Sequence, residues 1–271
     1  MSNIVLSAGV RSNLLQLQQT SDLITSTQTK LATGKRVNSA LDNPNNYFTA
    51  QALDNRAGDL SSLLDSMSTA INTIQAANNG ISAITKLVQS AQSLVSQAQQ
   101  TSDTTVRASL SSQFDSIRTQ IDKLAGDSGF NGINLLNGDN LTVTMNETAT
   151  STVTVNGVTD TSNGALSITG STNNWVAASD ISAAATTLTA ALTTLRSQAQ
   201  TLSSSLSTVQ IRQDFTKATI NTLQSGSDAL TLADSNQEGA NLLALQTRQQ
   251  LSTTALSLAS QADQNVLRLF Q

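Results

Sequence analysis

The feature that most constrains this chain is a long apolar repeat in its C-terminal half. Side chains that are mostly Leu, Ile, Val or Ala recur from Ile181 to Leu230 at alternating intervals of four and three residues. The series is Ile181, Ala185, Leu188, Leu192, Leu195, Ala199, Leu202, Leu206, Val209, Gln213, Thr216, Ile220, Leu223, Ser227 and Leu230. This spacing places every member on one seam of a continuous helix roughly 75 Å long. Such a seam must be covered by other helices, so the repeat predicts a mainly α fold of long, coiled-coil-like helical rods.

Three further segments carry the same kind of repeat. The first spans about residues 10–31, and Gly34 follows it at a position suited to a helix C-cap. The second spans about residues 60–98, and a shorter one lies between Leu110 and Leu124. The predicted seam of the first segment is Val10, Leu14, Leu17, Ser21, Ile24, Gln28 and Leu31. A single proline, Pro44, among 271 residues agrees with long uninterrupted helices.

The last segment, about residues 239–271, carries two apolar stripes instead of one. The first stripe is Leu242, Leu245, Leu256, Ala259 and Val266, and the second is Leu251, Ala255, Leu258, Ala262 and Leu269. A helix with two apolar stripes must bury both. We expect the N-terminal helix to cover one stripe and another molecule to cover the second. The alternative, an ordinary core helix buried on all sides, would require a compact domain that the pattern does not indicate.

Residues 139–174 follow a different period. Leu141, Val143 and Met145 alternate with polar residues, and a similar alternation appears around Val153 and Val155 and at Leu166 and Ile168. Alternation with a period of two predicts a small antiparallel β element. Asn156-Gly157 is the predicted two-residue hairpin turn, and Asn163-Gly164 is a second candidate turn.

The composition argues against several classes of function. The chain has no His and no Cys, which removes the commonest general base, metal ligand and thiolate nucleophile, so we expect no metal, no cofactor and no catalysis. A Ser-Lys pair or paired carboxylates could still act, but carboxylates such as Asp54, Asp59 and Asp65 are scattered along a predicted rod. The net charge of −4 without a basic cluster does not favour nucleic-acid binding. No apolar run is long enough to span a membrane, and the first residues lack the pattern of a cleavable signal peptide.

Three motifs in order along the chain resemble those of bacterial flagellins. Residues 31–42 (LATGKRVNSALD) resemble the N-terminal flagellin signature, a Gly–basic–Asn-Ser-Ala–Asp connector after a first helix. Phe130-Asn131-Gly132 followed by Leu135-Leu136 resembles the turn that leads from the flagellin helices into a β-hairpin. Residues 257–270 (SLASQADQNVLRLF) are similar to the flagellin C-terminal helix, except that Asp263 stands where many members have Pro. The resemblance covers about residues 1–138 and 176–271.

The resemblance implies a secreted structural subunit, without enzymatic activity, that polymerises into the extracellular flagellar filament for swimming. Residues 1–34 with 240–271 would form the inner-tube helices, and residues 35–56 with 231–239 the connector. Residues 57–138 with 176–230 would form the rod-like helical domain, and residues 139–175 the small β-hairpin region, without large outer domains. The implied partners are further copies of the chain, paralogous flagellins, the distal cap, the hook–filament junction proteins and an export chaperone, and the Ser and Thr residues could carry O-linked glycan. A hook–filament junction protein and an export chaperone or coiled-coil adaptor are the alternatives.

The residues themselves suggest how assembly would proceed. Isolated terminal helices rich in Ser, Thr and Gln are marginal in water, so we expect both ends to be disordered in the free monomer and to fold on incorporation. The predicted assembly interface is Leu14, Leu17, Ile24, Leu31, Leu245, Leu251, Leu258 and Leu269. The predicted connector residues are Gly34, Lys35, Arg36, Asn38 and Asp42. Two interpretations of the connector charges stay open here: pairing between subunits that sets the register, and a solvated turn.

A last expectation concerns recognition by animal cell-surface receptors, which read an Arg, a Gln and a Glu on the middle rods of flagellins. The positions that correspond to this patch by the resemblance are Gln89, Ser96 and Gln113. Because both charges are missing, we expect weak or absent receptor activation.

Overall fold

The structure is a computed structural model that describes residues 8–269, without the side chains of residues 263 and 266–269. The described residues form five α-helices and one two-stranded antiparallel sheet, which confirms the predicted mainly α class with one small β element. The helices are α1 (Ala8–Thr33), α2 (Pro44–Gln100), α3 (Thr104–Asp127), α4 (Ala178–Thr231) and α5 (Ser235–Leu269). The strands are β1 (Leu141–Thr144) and β2 (Thr152–Val155).

The chain divides into two compact units. The first unit comprises the described residues up to Asn55 together with those from Thr222 onward, and the second comprises Arg56–Asn221. The first unit therefore contains α1, α5 and the segment between α1 and α2. It also contains the first turns of α2 and the last turns of α4. The second unit contains α3, the sheet and most of α2 and α4.

The core of the second unit is built from the predicted seams. Every member of the α4 series from Ile181 to Leu230 is buried or half-buried, which confirms the repeat. The facing seam of α2 is buried from Met67 to Ala98. Phe114 of α3 packs on Trp175 with ring centroids 5.1 Å apart, and both side chains are fully buried. Dense interdigitation of these seams gives this unit a continuous apolar core.

Capping side chains and one arginine define the break between α2 and α3. The Asp103 carboxylate accepts hydrogen bonds from the backbone N–H groups of Thr105 (2.8 Å) and Val106 (3.4 Å), as an N-cap residue should. The Arg107 guanidinium donates to the carbonyl oxygens of Thr101 (2.8 Å) and Ala98 (3.2 Å), which satisfies backbone acceptors that the end of α2 leaves open. The break therefore lies at residues 101–103, between the two repeat segments that the sequence predicts.

The segment after α3 makes the tight turn that the family motif predicts. Phe130 and Ile133 exchange backbone hydrogen bonds of 2.9 and 3.0 Å across Asn131 and Gly132. Both central residues have positive φ, 50° and 80°, which a type I′ turn requires and which Asn and Gly tolerate best. Buried Asn134 then donates to the carbonyl oxygens at the end of α3, which closes that helix.

The predicted hairpin turn at Asn156-Gly157 is wrong. β1 pairs with β2 in the register Leu141↔Val155, and residues 145–151 connect the two strands, so Asn156-Gly157 follows the hairpin. Glycine is needed at 157 for another reason: a Cβ there would overlap the backbone of Asp139. The second candidate turn is confirmed, because the Gly164 N–H donates to the Thr161 carbonyl oxygen at 3.0 Å.

Leu166 and Ile168 are fully buried, but they belong to an irregular segment and not to a strand. Polar side chains of α3 fasten this segment. The Arg118 Nε donates to the Ile168 carbonyl oxygen at 2.9 Å, and the Asp122 carboxylate accepts from the Ser162 N–H and hydroxyl. Because α3 satisfies these backbone groups, the segment can bury its apolar side chains without pairing in a sheet.

We predict opposite effects for two Gly→Ala substitutions in α2. A Cβ on Gly80 would lie 2.6 Å from Leu136 Cδ1 and 2.7 Å from Ser128 Cβ, so Gly80→Ala should destabilise the second unit by about 1–3 kcal/mol. A Cβ on Gly58 would meet no atom within 4 Å, and Gly58→Ala should stabilise by about 0.5–1 kcal/mol through helix propensity. Urea unfolding followed by the fluorescence of Trp175 measures both, and equal effects would contradict the close contact at Gly80.

Candidate assembly interface and connector

The first unit is organised by the packing of α1 against α5. The face of α1 that points inward carries Val10, Thr20 and Thr27, which are buried, and Leu17, Ile24 and Leu31, which are half-buried. The buried Thr20 hydroxyl donates to the Gln16 carbonyl oxygen at 2.8 Å, so its polarity is satisfied within the helix. This face contains little apolar surface for a helix of its length.

The inward face of α1 departs from the predicted seam at every second position. The prediction placed Leu14, Ser21 and Gln28 on the seam, and all three are exposed, whereas Thr20 and Thr27 take the inward positions. Both series alternate three and four residues and share Leu17, Ile24 and Leu31. The pairing with α5 selects the threonine series, and it leaves Leu14, Leu15 and Leu23 outside with 41, 57 and 51% of their surface exposed.

On α5, the two predicted stripes separate as expected among the residues described. The first stripe is half-buried at Leu242, Leu245, Leu256 and Ala259, while the side chain of Val266 lies outside the described residues. The second stripe is exposed, with 67% of Leu251 and 61% of Leu258 accessible, and Leu269 has no described side chain. None of the described α5 side chains is fully buried.

The assembly residues predicted from the sequence therefore fall into two groups. Leu17, Ile24, Leu31 and Leu245 are half-buried. Leu14, Leu251 and Leu258 are exposed. Sequence reasoning missed three further exposed leucines, Leu15, Leu23 and Leu243. A helical projection of both terminal helices would have shown them, because they lie off the covered faces.

The connector joins α1 to α2 through hydrogen bonds within the first unit. Gly34 adopts a positive φ of 70°, as its predicted role in ending α1 requires. The next residues pair with the end of α4: the Arg36 N–H donates to the Thr231 carbonyl oxygen at 2.7 Å, and the Ala233 N–H donates to the Gly34 carbonyl oxygen at 2.9 Å. The Arg36 guanidinium adds a bond of 3.2 Å to the Ala229 carbonyl oxygen.

Asp42 and Asn38 hold the rest of the connector in place. One Asp42 oxygen accepts from the backbone N–H groups of Asn38 and Ser39, both at 2.9 Å, and the Asn38 amide donates to the Lys35 carbonyl oxygen at 2.9 Å. The hydrogen bonds from the Asn38 and Ser39 backbones hold the pKa of Asp42 below its ordinary value. The predicted connector residues thus lie together, and Arg36, Asn38 and Asp42 have partners within the chain.

Helix α2 begins at Pro44, so its first turns lie inside the range 35–56 that was predicted for the connector. Proline suits the first turn of a helix because its missing N–H would have had no helical partner there. The Asn43 side chain caps the helix, accepting from the Asn46 N–H at 3.0 Å.

The three positions that correspond to the receptor patch are all exposed. Gln89 and Ser96 lie on α2, and Gln113 lies on α3, in the second unit. None of the three carries a charge, so they can form hydrogen bonds but no ion pair with a receptor.

No three potential metal-ligating side chains cluster in the part of the chain that the structure describes. In the same part of the chain, no helix combines the length and the apolarity that crossing a membrane demands.

We predict that Asp42 keeps the connector closed above acidic pH. Its folded-state pKa is lowered, so its contribution is present above the ordinary value of 3.8 and is lost as the pH falls below it. Asp42→Ala should therefore expose the Lys35 and Arg36 peptide bonds to trypsin faster at pH 8, with Asp22→Ala on the exposed side of α1 as the matched control. Equal cleavage of both variants and the unsubstituted chain would contradict the role of Asp42.

Two family models match this chain. The family model for the bacterial flagellin N-terminal helical region matches residues 7–141, and the model for the bacterial flagellin C-terminal helical region matches residues 185–270. Flagellin FljK of Caulobacter vibrioides is 31% identical over 277 residues, covering 100% of this chain and 99% of the relative. Flagellin FljM of the same bacterium is 30% identical over 274 residues with the same coverage.

A more distant relative has the same extent. A flagellin of Brucella melitensis is 27% identical over 284 residues, covering 100% of both chains. A crystal structure of Bacillus cereus flagellin aligns with a TM-score of 0.48 and 21% identity over 57% of this chain and 88% of that one. The Caulobacter and Brucella relatives are flagellins, and none of them supports the hook–filament junction alternative. The chain belongs to the bacterial flagellin family, whose members are structural subunits of the extracellular flagellar filament and not enzymes.

Proposed function

We propose that this flagellin enters the filament through the apolar stripes that α1 and α5 leave uncovered. The observation that carries the proposal is the exposure of Leu251 and Leu258 on α5, and of Leu14, Leu15 and Leu23 on α1. Exposed leucines arranged along a helix are unfavourable in water and mark a contact surface. Growth of a filament requires two different, complementary surfaces on each subunit, and two terminal helices with separate stripes can provide them.

The same helices gain most of their stability on assembly. The inward face of α1 buries one valine and two threonines, and the described part of α5 buries no side chain fully. Covering a leucine contributes about 1.5–3 kcal/mol, so the inward face alone offers little to offset the entropy of ordering two helices. We infer that both terminal helices are largely disordered in the free monomer and fold when neighbouring subunits cover the outer stripes.

Within the filament, we propose that residues 1–34 with 240–271 form the inner-tube helices and that residues 35–56 with 231–239 form the connector. The second unit supplies most of the surrounding rod-like layer (57–138 with 176–230) and the small β-hairpin region (139–175). Paralogous subunits are proposed as partners because Caulobacter vibrioides carries several flagellins. The distal cap and the hook–filament junction proteins contact the same stripes at the filament ends, and an export chaperone covers the α5 stripe before export. The exposed Ser and Thr of the β-hairpin region are proposed sites of O-linked glycan, which the intact mass of filament protein would reveal.

We predict that replacing the outer α5 stripe stops filament growth without unfolding the second unit. Leu251→Ser with Leu258→Ser removes at least about 3 kcal/mol of burial per subunit and should raise the critical monomer concentration by at least roughly 100-fold. The measurement is elongation from short filament fragments, followed by electron microscopy and sedimentation. Trp175 fluorescence should remain that of the unsubstituted chain.

The matched control places serine at Gln246 and Gln250, which are exposed on the remaining face of α5. Growth of the leucine variant at the normal concentration, or an equal loss in the glutamine variant, would contradict the proposed stripe. Trypsin digestion of monomer and filament tests the folding of the ends separately. Equal protection of both ends in the two states would refute folding on incorporation.

We predict weak activation of animal flagellin receptors, because Gln89, Ser96 and Gln113 lack the charges that those receptors read in other flagellins. Restoring them with Gln89→Arg, Ser96→Gln and Gln113→Glu should raise the response of reporter cells by at least about 10-fold, since charge-paired contacts at a desolvated interface contribute more than about 1 kcal/mol. Strong activation by the unsubstituted chain would contradict the prediction.

A further inference from the structure

Asp160 is a buried carboxylate that plays no part in the assembly surfaces. It follows the hairpin in the second unit, and its backbone N–H donates to the Leu136 carbonyl oxygen at 2.8 Å. None of its surface is exposed. Among the described residues, neither of its two carboxylate oxygens has a hydrogen-bond partner. A buried group of this kind is rare in folded proteins and calls for a ligand, a counter-ion or a proton.

The carboxylate faces a cavity of about 90 Å³ with mainly apolar walls. Ile81 of α2, Leu136, Val158 and Leu202 of α4 contribute to those walls. Gln198 of α4 lies beside the carboxylate, and its Oε1 is likewise buried without a described partner. The Asp160 carboxylate and the Gln198 side chain therefore share one small cavity, which Asn156 and Thr201 also line.

A proton satisfies this arrangement better than a metal ion does. Hard cations take six or more oxygen ligands, whereas this cavity offers one carboxylate and a few neutral groups between apolar walls. A proton from solvent converts the carboxylate into a carboxylic acid, whose O–H can donate to Gln198 Oε1 after rotation of the amide. One hydrogen bond then removes the negative charge from the apolar cavity and satisfies the amide oxygen.

We propose that Asp160 and Gln198 form a proton-binding site that makes the second unit more stable in mildly acidic solution than at neutral pH. In agreement with this geometry, burial raises the pKa of Asp160 to about 6, while the neighbouring Gln198 amide opposes the rise. A group whose pKa is higher in the folded state stabilises the fold fully below its ordinary value, here 3.8. That stabilisation is lost as the pH rises through about 6.

Charged groups on the neighbouring elements lie outside this cavity. Asp160 is the only titratable residue that lines the cavity in the described structure. Arg118 and Asp122 of α3 hydrogen-bond to Ser162, and Lys86 of α2 and Arg196 of α4 line a separate groove. In the same unit, hydrogen bonding lowers the pKa of Glu147, so its contribution is lost only below its ordinary value of 4.5 and has the opposite sign. Between about pH 5 and 7.5, the change in the stability of the second unit with pH therefore reports the titration of Asp160.

The test is urea unfolding of the full chain as a monomer, followed by the fluorescence of Trp175. Because Trp175 is the only tryptophan and is buried in the second unit, it reports that unit alone. The unfolding equilibrium constant of the unsubstituted chain should rise roughly 10-fold from about pH 5 to about pH 7.5. In Asp160→Asn the constant should change little with pH, because the Asn amide supplies the donor permanently. Asp65→Asn, at an exposed position of α2, should keep the roughly 10-fold change.

Two further measurements keep the proposal open to refutation. Should Asp160→Asn fail to fold, the carboxyl carbon of Asp160 in the ¹³C-labelled unsubstituted chain reports its titration directly by NMR. Titration near its ordinary value would overturn the proposal. So would a pH-independent stability, or a stability at neutral pH that rises with K⁺ or Na⁺ but not with tetramethylammonium at equal ionic strength. The last result would identify a cation site instead.

Discussion

Burial of one narrow seam along each long helix is the interaction on which both units depend. In the second unit the seams of α2 and α4 combine large side chains such as Ile74, Leu188 and Leu195 with alanines, and these side chains pack in one apolar core that excludes water. Ser, Thr and Gln occupy most of the outer positions, which keeps these helices soluble once the seam is covered. Both terminal helices carry a second apolar face, which stays exposed to water when only the seam is covered.

The polar character of the α1 seam explains why the two units differ. Buried Thr20 and Thr27 permit close packing on α5, but a threonine contributes less apolar burial than the leucine that a stable pair would use. Three of the five leucines of α1 lie instead at positions 14, 15 and 23, where they are exposed, while Leu17 and Leu31 are half-buried on the inward face. The helix thus leaves most of its leucines available for contacts outside the chain, which is the distribution expected of a helix that becomes stable only with its neighbours.

Long-range periodicity could be predicted from the sequence, whereas some local choices could not. The α4 seam was predictable because many repeats agree on one face. In α1, the predicted and the observed series share Leu17, Ile24 and Leu31. Only the packing on α5 decides whether the series that contains Leu14 or the one that contains Thr20 faces inward. Asn-Gly forms a type I′ turn at Asn131 but not at Asn156, where the approach of Asp139 and not a turn requires the glycine. Asp160 and Gln198 are distant in sequence, so no motif could have paired them.

The scarcity of charge limits what can determine the register between subunits. Only 12% of the residues are charged, and the described structure contains four ion pairs, of which Lys217–Asp214 is largely exposed. Exposed pairs contribute little, and salt screens them. Arg36 and Asp42 already have partners inside the connector, which leaves them less available for pairing between subunits. We infer that the spacing of exposed leucines along the terminal helices, which a hydrogen-bonded connector holds in place, determines the register more strongly than charge does.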